Sequence, residues 1–306
     1  MTIAIYSHKA CLEHDPGSGH PENDGRLSSI MEALTHCSFA EKLKKVDAPL
    51  ATDEQLLLAH SHSHIAHIKA SAPSKGFSYL DGDTVMSPGS LNAALRAAGA
   101  ACLAVDDSIA GKYSSAFCAI RPPGHHATHD RAMRFCLFNT IAIAALYAQK
   151  QYKIARIAIV DFDVHHGNGT EDIVEGKQGI LYISTHQSPL FPGTGTMREA
   201  GNNIINLTLP AGTDGVRYRQ LFTESVLPAL EVFAPEMLLV SAGFDGHRDD
   251  PLAGFSLVEE DYKWIGKQLN QIAQTYCEGK IISILEGGYD HNALAESVKA
   301  YLSSFL

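Results

Sequence analysis

The segment Asp161-Phe-Asp163-Val-His165-His166-Gly-Asn168 places carboxylates, imidazoles and an amide close together, with Asp161, Asp163 and His165 at alternate positions. If the preceding β-like run continues into it, these three side chains share one face. Two of them can then converge on a metal while the third serves a neighbour. Asp245, in Ser241-Ala-Gly-Phe-Asp245, supplies a carboxylate from a distant segment. An Asp/His/Asp set leaves coordination positions for water and substrate, as a catalytic centre requires and a closed structural site does not. Imidazole with carboxylate suits Zn2+, and Fe2+, Co2+ or Mn2+ is compatible by ligand type. Singly, such an Asp is more simply a helix cap and such a His a satisfied interior residue. A buried group of carboxylates without a cation is costly, which favours the metal.

A second constellation concerns proton transfer. His125 and His126 stand in Arg121-Pro-Pro-Gly-His-His, where the prolines and glycine restrict the loop. Adjacent buried imidazoles do not readily both carry charge, so they titrate as a pair with separated pKa values. One neutral and one charged histidine form a workable acid/base arrangement. Each needs a partner for its other ring nitrogen, and Asp161 and Asn168 are the polar groups left over. A carboxylate there stabilises imidazolium, whereas an amide orients the ring without adding charge. Tyr289, in Glu286-Gly-Gly-Tyr289, offers a phenol that can donate to an oxyanion and complete a Lewis-acid hydrolysis site.

The elements that must position these groups follow from periodicity. Strand-length apolar runs at 2–6, 116–120, 154–160, 180–184, 203–209, 237–241 and 280–285 alternate with helical patterns at 25–36, 88–110, 140–149, 215–232, 257–276 and 292–305. Ser87 and Pro88 read as cap and first-turn proline of the second helix. Alternation of this kind predicts a doubly wound α/β fold with a parallel sheet. Each of the four motifs follows the carboxyl end of a strand, which is where open parallel sheets bind ligands.

The chain has 306 residues, long enough for two domains, yet motifs from its first quarter to its last point to one site, so 1–306 is read as a single catalytic domain. With 45% hydrophobic and 19% charged residues it can bury a large core. Lys+Arg number 24 against 34 Asp+Glu, and the net charge of −10 argues against direct nucleic-acid binding. The 6 cysteines show no C-x-x-C pair, so they read as small hydrophobes rather than a zinc cluster or disulfide framework. No leader or membrane span is visible, and a reducing cytoplasm is the expected setting. His60, His62, His64 and His67 form the densest histidine run; on a helix, His60, His64 and His67 share a face. Without accompanying carboxylates, this run is read as surface or helix packing.

Arg121-Pro-Pro-Gly-His-His-Ala, Asp161-Phe-Asp-Val-His-His-Gly-Asn-Gly-Thr, Phe191-Pro-Gly-Thr-Gly, Ser241-Ala-Gly-Phe-Asp and Leu285-Glu-Gly-Gly-Tyr closely resemble the zinc-dependent histone deacetylase superfamily. They run in the family's order from Gly19-His-Pro-Glu to Tyr289, and Asn168 and the His20-Pro-Glu segment ahead of Arg26 resemble its class II and bacterial deacetylase-like branch. The resemblance implies a three-layer arginase/deacetylase-like fold with a mostly parallel eight-stranded sheet. It implies Asp163, His165 and Asp245 as zinc ligands, His125 and His126 as the tandem histidines with Asp161 and Asn168 as their respective partners, and His126 as general base. By the same resemblance Tyr289 stabilises the oxyanion, Phe135 and Phe191 wall a narrow channel, and Arg26 lines an acetate exit. A structural K+ is implied near Asp161, Asp163 and His165 and near Ser184 and Thr185.

One departure stands out: the family's Gly-Phe-Cys reads Arg134-Phe135-Cys136 here, which bears on channel geometry and acyl preference. The expected substrate is an acyl-lysine peptide or protein, with an acylated small amine such as an acetylpolyamine as the alternative. A short loop between Cys11 and Arg26, and Leu252 where a gatekeeper glutamate can sit, favour acyl-lysine. Asp81, Asp83, Asp249 and Asp250 could attract a cationic amine, with Asp83 read as a rim residue for substrate backbone, although such charges are more often solvated loops. A metal-dependent acyl-lysine binding protein with little activity is the alternative from another class. The oligomeric state is not legible in the chain.

Overall fold

Among the described residues, ten short strands carry the architecture: β1 (Ile3–Ser7), β2 (Leu43–Asp47), β3 (Ser78–Tyr79), β4 (Val85–Met86), β5 (Ser115–Cys118), β6 (Ile157–Asp161), β7 (Ile180–Gln187), β8 (Ile204–Leu209), β9 (Met237–Ala242) and β10 (Ile281–Leu285). The structure, a computed structural model, describes residues 2–196 and 203–306. Eight strands form one sheet in the order β2-β1-β5-β10-β9-β6-β7-β8, and β3 pairs with β4 in a separate antiparallel ribbon. Every pairing in the large sheet is parallel.

The centre of that order explains the clustering of motifs. Strands β5, β10, β9 and β6 are consecutive neighbours, and these are the strands whose carboxyl ends lead into the four motif loops. All residues of these four strands are buried, because helices cover both faces. Helices Ser90–Ile109 and Thr140–Tyr152 pack together against β1, β5, β6, β9 and β10. Helices Asp24–His36, Glu259–Tyr276 and His291–Ser303 pack as a second group, completing the three layers.

The structure corrects several local expectations. The edge strand β2 (Leu-Lys-Lys-Val-Asp) lacks an apolar signature because edge strands carry charge on their exposed side. The run expected as one helix from 215 to 232 is helical but contains a π turn at Phe222–Val226, just before Pro228, which lacks the N–H needed to continue regular pairing. Helix Ser90–Ile109 starts after Gly89, so Ser87 and Pro88 precede it. Ser87 instead accepts from the backbone N–H of Asp15 at 3.0 Å.

Candidate metal centre and active site

Strand β6 ends at Asp161, and the turn that follows brings Asp163 and His165 under the loop after β9. Asp163, His165 and Asp245, all buried, have ligand atoms within 4.8 Å of one another. His165 Nδ1 lies 2.9 Å from Asp245 Oδ2 and 3.2 Å from Asp163 Oδ1. Tetrahedral ligands about 2.0–2.2 Å from one cation stand roughly 3.3–3.6 Å apart, so these atoms, now at hydrogen-bond distance, need only open by a few tenths of an ångström to share a divalent ion. Burial and the neighbouring Asp163 raise the pKa of Asp245, a penalty that a cation between the two carboxylates would remove. The donor set fits Zn2+, Fe2+ or Co2+.

The chain shapes itself around these carboxylates. Gly287 donates its N–H to Asp163 Oδ2 at 2.8 Å, and a Cβ there would lie 2.1 Å from Asp245 Oδ2. A side chain at this glycine would displace a ligand. Asp161 is drawn away from the group: it faces His125 Nδ1 at 3.0 Å and accepts from Tyr182 OH at 2.9 Å. The alternation in sequence therefore resolves into two converging groups and one partner for a histidine.

His125 and His126 lie with ring centroids 4.0 Å apart. Burial opposes charging His125, but the carboxylates of Asp161, Asp163 and Glu286 outweigh it and raise its pKa well above the usual histidine value. His126 is moved the other way by burial and then by His125 and His165. Its Nδ1 lies 2.7 Å from Asn168 Oδ1, an acceptor that adds no charge, so Nδ1 carries the proton and Nε2 keeps its lone pair. The pair thus separates into one cationic and one neutral ring.

Tyr289 is partly buried, with Arg26 Cζ 4.9 Å from its ring centroid and Phe135 at 6.0 Å. Burial raises its pKa well above that of an ordinary phenol, so the hydroxyl keeps its proton to donate. Arg26 is fully buried and donates from Nε to the Gly288 carbonyl at 2.5 Å, from Nη2 to the Glu286 carbonyl, and from Nη1 to Glu22 at 3.0 Å. Phe135 is buried and Phe191 is partly exposed, 5.3 Å from the His126 ring. A cavity of about 400 Å³ opens at the Phe135 side, lined also by Arg134, Asp83, Leu252 and Tyr79. Ser184 pairs in register with Asp161, and Thr185 Oγ1 donates to the Asp161 carbonyl at 3.4 Å. Of the residues implied for K+, Ser184 and Thr185 therefore lie beside Asp161.

Several supporting residues had no separate signal in the chain. Glu286 accepts from the N–H groups of Gly124 at 2.7 Å and His125 at 3.1 Å, pinning the tandem-histidine loop. Asp250, expected as a rim or solvated charge, is buried and accepts from the N–H groups of Tyr289 at 2.7 Å and Leu252 at 2.9 Å. Burial and the Asp245 carboxylate push its pKa up to about 7. Tyr182 holds Asp161 across the β6–β7 register, a contact that sequence spacing does not reveal. The histidine run also divides: His60 precedes helix His62–Ser71, His64 is buried on it, and His62 and His67 are exposed, so the run has no common face.

Fold and site together are those of an α/β enzyme whose polar centre lies at the carboxyl ends of central parallel strands. A histone deacetylase domain match covers residues 20–305. The chain is 40% identical over 291 residues to a probable deacetylase of Methanothermobacter thermautotrophicus, covering 93% of this chain and 85% of the relative. It is 36% identical to histone deacetylase 14, chloroplastic, of Arabidopsis thaliana, covering 96% and 74% respectively. It is also 36% identical to type-2 histone deacetylase 2 of Dictyostelium discoideum, of which it spans 21%. The crystal structure of the HDA15 HD domain superposes with a TM-score of 0.92 at 33% identity, covering 99% of this chain and 88% of that one. The chain belongs to the histone deacetylase family.

Proposed function

We propose that this protein is a divalent-metal-dependent amide hydrolase that removes acetyl groups from the Nε amine of lysine, with residues 1–306 acting as one catalytic domain. The observation that carries the reading is the convergence of Asp163, His165 and Asp245 beside a histidine pair polarised into one charged and one neutral ring. When bound, a divalent ion, Zn2+ in this reading, supplies Lewis acidity toward water and the amide carbonyl. His126 Nε2 takes a proton from the attacking water, with Asn168 holding the ring in the required tautomer. His125, kept charged by Asp161, stabilises negative charge developing nearby. The Tyr289 hydroxyl donates to the carbonyl oxygen as it becomes an oxyanion. The proton taken up by His126 passes to the leaving amine as the C–N bond breaks and releases lysine, and Arg26 lines the route for acetate.

Leu252 at the mouth supports acyl-lysine over polyamine, since that position offers no carboxylate to an ammonium group and the nearby Asp83 is already paired with Arg134. A structural K+ beside Asp161 and Thr185 belongs to the same reading. Zinc-loaded protein is expected to release amine from acetyl-lysine peptides faster than from acetylpolyamines. Absence of metal-dependent release from acetyl-lysine peptides, longer acyl-lysines and acetylpolyamines alike would overturn the proposal and favour a binding protein.

A further inference from the structure

Arg134 and Phe135 both have left-handed backbone conformations, with φ of 46° and 67°. Glycine enters this region without the steric cost that a Cβ brings, so an arginine held there points to a use for its side chain. That side chain lines the cavity beside Phe135. Its Cζ is 4.9 Å from the ring centroids of both Phe135 and Phe191. Its Nη1 donates to Asp83 Oδ2 at 3.0 Å, the one hydrogen bond Arg134 makes among the described residues. Asp83 is itself positioned by a turn in which Asp81 Oδ1 accepts its backbone N–H at 3.0 Å. A chain entering between the two rings therefore passes a guanidinium contacted by both aromatic faces and latched by one carboxylate.

Resting on the deacetylase reading, we propose that Arg134 is a specificity-determining gate at the channel mouth, which selects the amine side of the substrate by charge. It admits tails ending in a carboxylate or neutral group and disfavours those ending in an ammonium. The chemistry is that of a cation-facing entrance. Guanidinium offers planar, multiple donors suited to a carboxylate and repels an ammonium group at the same distance. Asp83 carries the opposite unit charge and fixes the pose, so the discrimination is that of an ion pair presenting its cationic end to the tail. With the side chains 22% and 38% exposed, solvent and salt reduce the effect without abolishing it.

The test uses N-acetylcadaverine, N-hexylacetamide and 6-acetamidohexanoate, which share an acetamide and a pentamethylene stem but end in ammonium, methyl and carboxylate. Two readouts are taken: kcat/KM with the zinc-loaded wild-type gate, and calorimetric affinity in a Tyr289→Phe background that limits turnover. Both are expected to rank carboxylate above methyl above ammonium, with about a tenfold ratio between the extremes at low salt. Arg134→Gly, suited to the left-handed backbone, should bring that ratio to about one or invert it, because Asp83 remains. Asp83→Asn should increase it, and Arg134→Lys should keep the order. A wild-type preference for the ammonium compound, or a ratio unmoved by Arg134→Gly in both readouts, would overturn the gate. If neither these compounds nor acetyl-lysine peptides, longer acyl-lysines and acetylpolyamines are hydrolysed but affinities follow this pattern, the gate stands and the hydrolase reading falls.

Discussion

His60 Nε2 accepts the backbone N–H of Asn139 at 2.8 Å. The other ring nitrogen, Nδ1, lies 2.9 Å from the Thr128 carbonyl and so carries the proton. Both nitrogens are used in the neutral tautomer, and a second proton would set Nε2 against a donor. Asn139 in turn caps helix Thr140–Tyr152 and donates to the Ala127 carbonyl at 3.0 Å. This buried ring therefore braces the end of the loop that carries the tandem histidines, although it lies far from the candidate metal ligands in sequence.

Acid sensitivity follows from this bracing. Burial, reinforced by His64, lowers the His60 pKa from 6.5 to about 3, and burial with His166 lowers His186 to about 4. The folded pKa is depressed while the unfolded one is ordinary. Stability from the neutral ring is thus complete above pH 6.5 and lost as pH falls through the interval down to about 3 for His60. At pH 5 this amounts to about 2 kcal/mol for each ring. His60→Gln is expected to melt lower than wild type at pH 7.5 but to lose less on acidification to pH 5. Thermal melts at the two values check this, and parallel losses in the two proteins would contradict it.

How far the chain disclosed its own architecture depends on whether a signal was local. Asp161, Asp163, His165, Asn168 and Asp245 were recognisable because dense polar groups interrupt apolar strands, and their placement at the ends of β6 and β9 followed from the strand pattern. The same pattern did not reveal that β5, β10, β9 and β6 are neighbours, since sheet order is a property of non-local pairing. Asp250 resembled any acidic loop residue, and only burial against the backbone of Tyr289 distinguishes it from the exposed Asp249. Arg134 was visible as a departure from Gly-Phe-Cys, but its partners Asp83 and Phe191 come from distant loops.

Metal addition should change stability as well as activity. Because Asp163 and Asp245 are buried side by side, an ion bound to the folded state stabilises it through mass action, by about 2.7 kcal/mol at a free concentration one hundred times Kd. A rise in Tm of several degrees on adding Zn2+ to stripped protein is expected. Asp163→Ala and Asp245→Ala should each lose this rise, the bound metal and deacetylation together. Elemental analysis after dialysis checks the assignment, and a full equivalent of tightly bound Zn2+ in either variant would refute it.

The neutral partner of His126 should set the acid limb of the rate profile. A general base works only while unprotonated, so kcat/KM falls as pH drops through its pKa. Burial, His125 and His165 hold that pKa low against the smaller upward pull of the Asn168 hydrogen bond, which brings no charge. Asn168→Asp places a carboxylate at the ring and should move the acid limb to higher pH by about 1–3 units. Rate at pH 6 then drops far more than rate at pH 8. A limb that stays in place would show that His126 is not the group being titrated.

Tyr289 offers the sharpest separation of binding from chemistry. Its backbone N–H is fixed by Asp250, its ring lies against Arg26 and Phe135, and burial keeps its hydroxyl protonated. Removing only the hydroxyl leaves this packing and the Asp163/His165/Asp245 group intact. Tyr289→Phe is therefore expected to bind metal and substrate as wild type does while kcat falls about 10²–10³-fold, the usual loss for one oxyanion donor. Asp250→Asn, which keeps the side chain's shape but not its charge, should lower kcat less, because it disturbs only the placement of the phenol. Wild-type kcat in Tyr289→Phe would remove the tyrosine from the reaction, whereas a raised KM at unchanged kcat would make it a substrate-binding group alone.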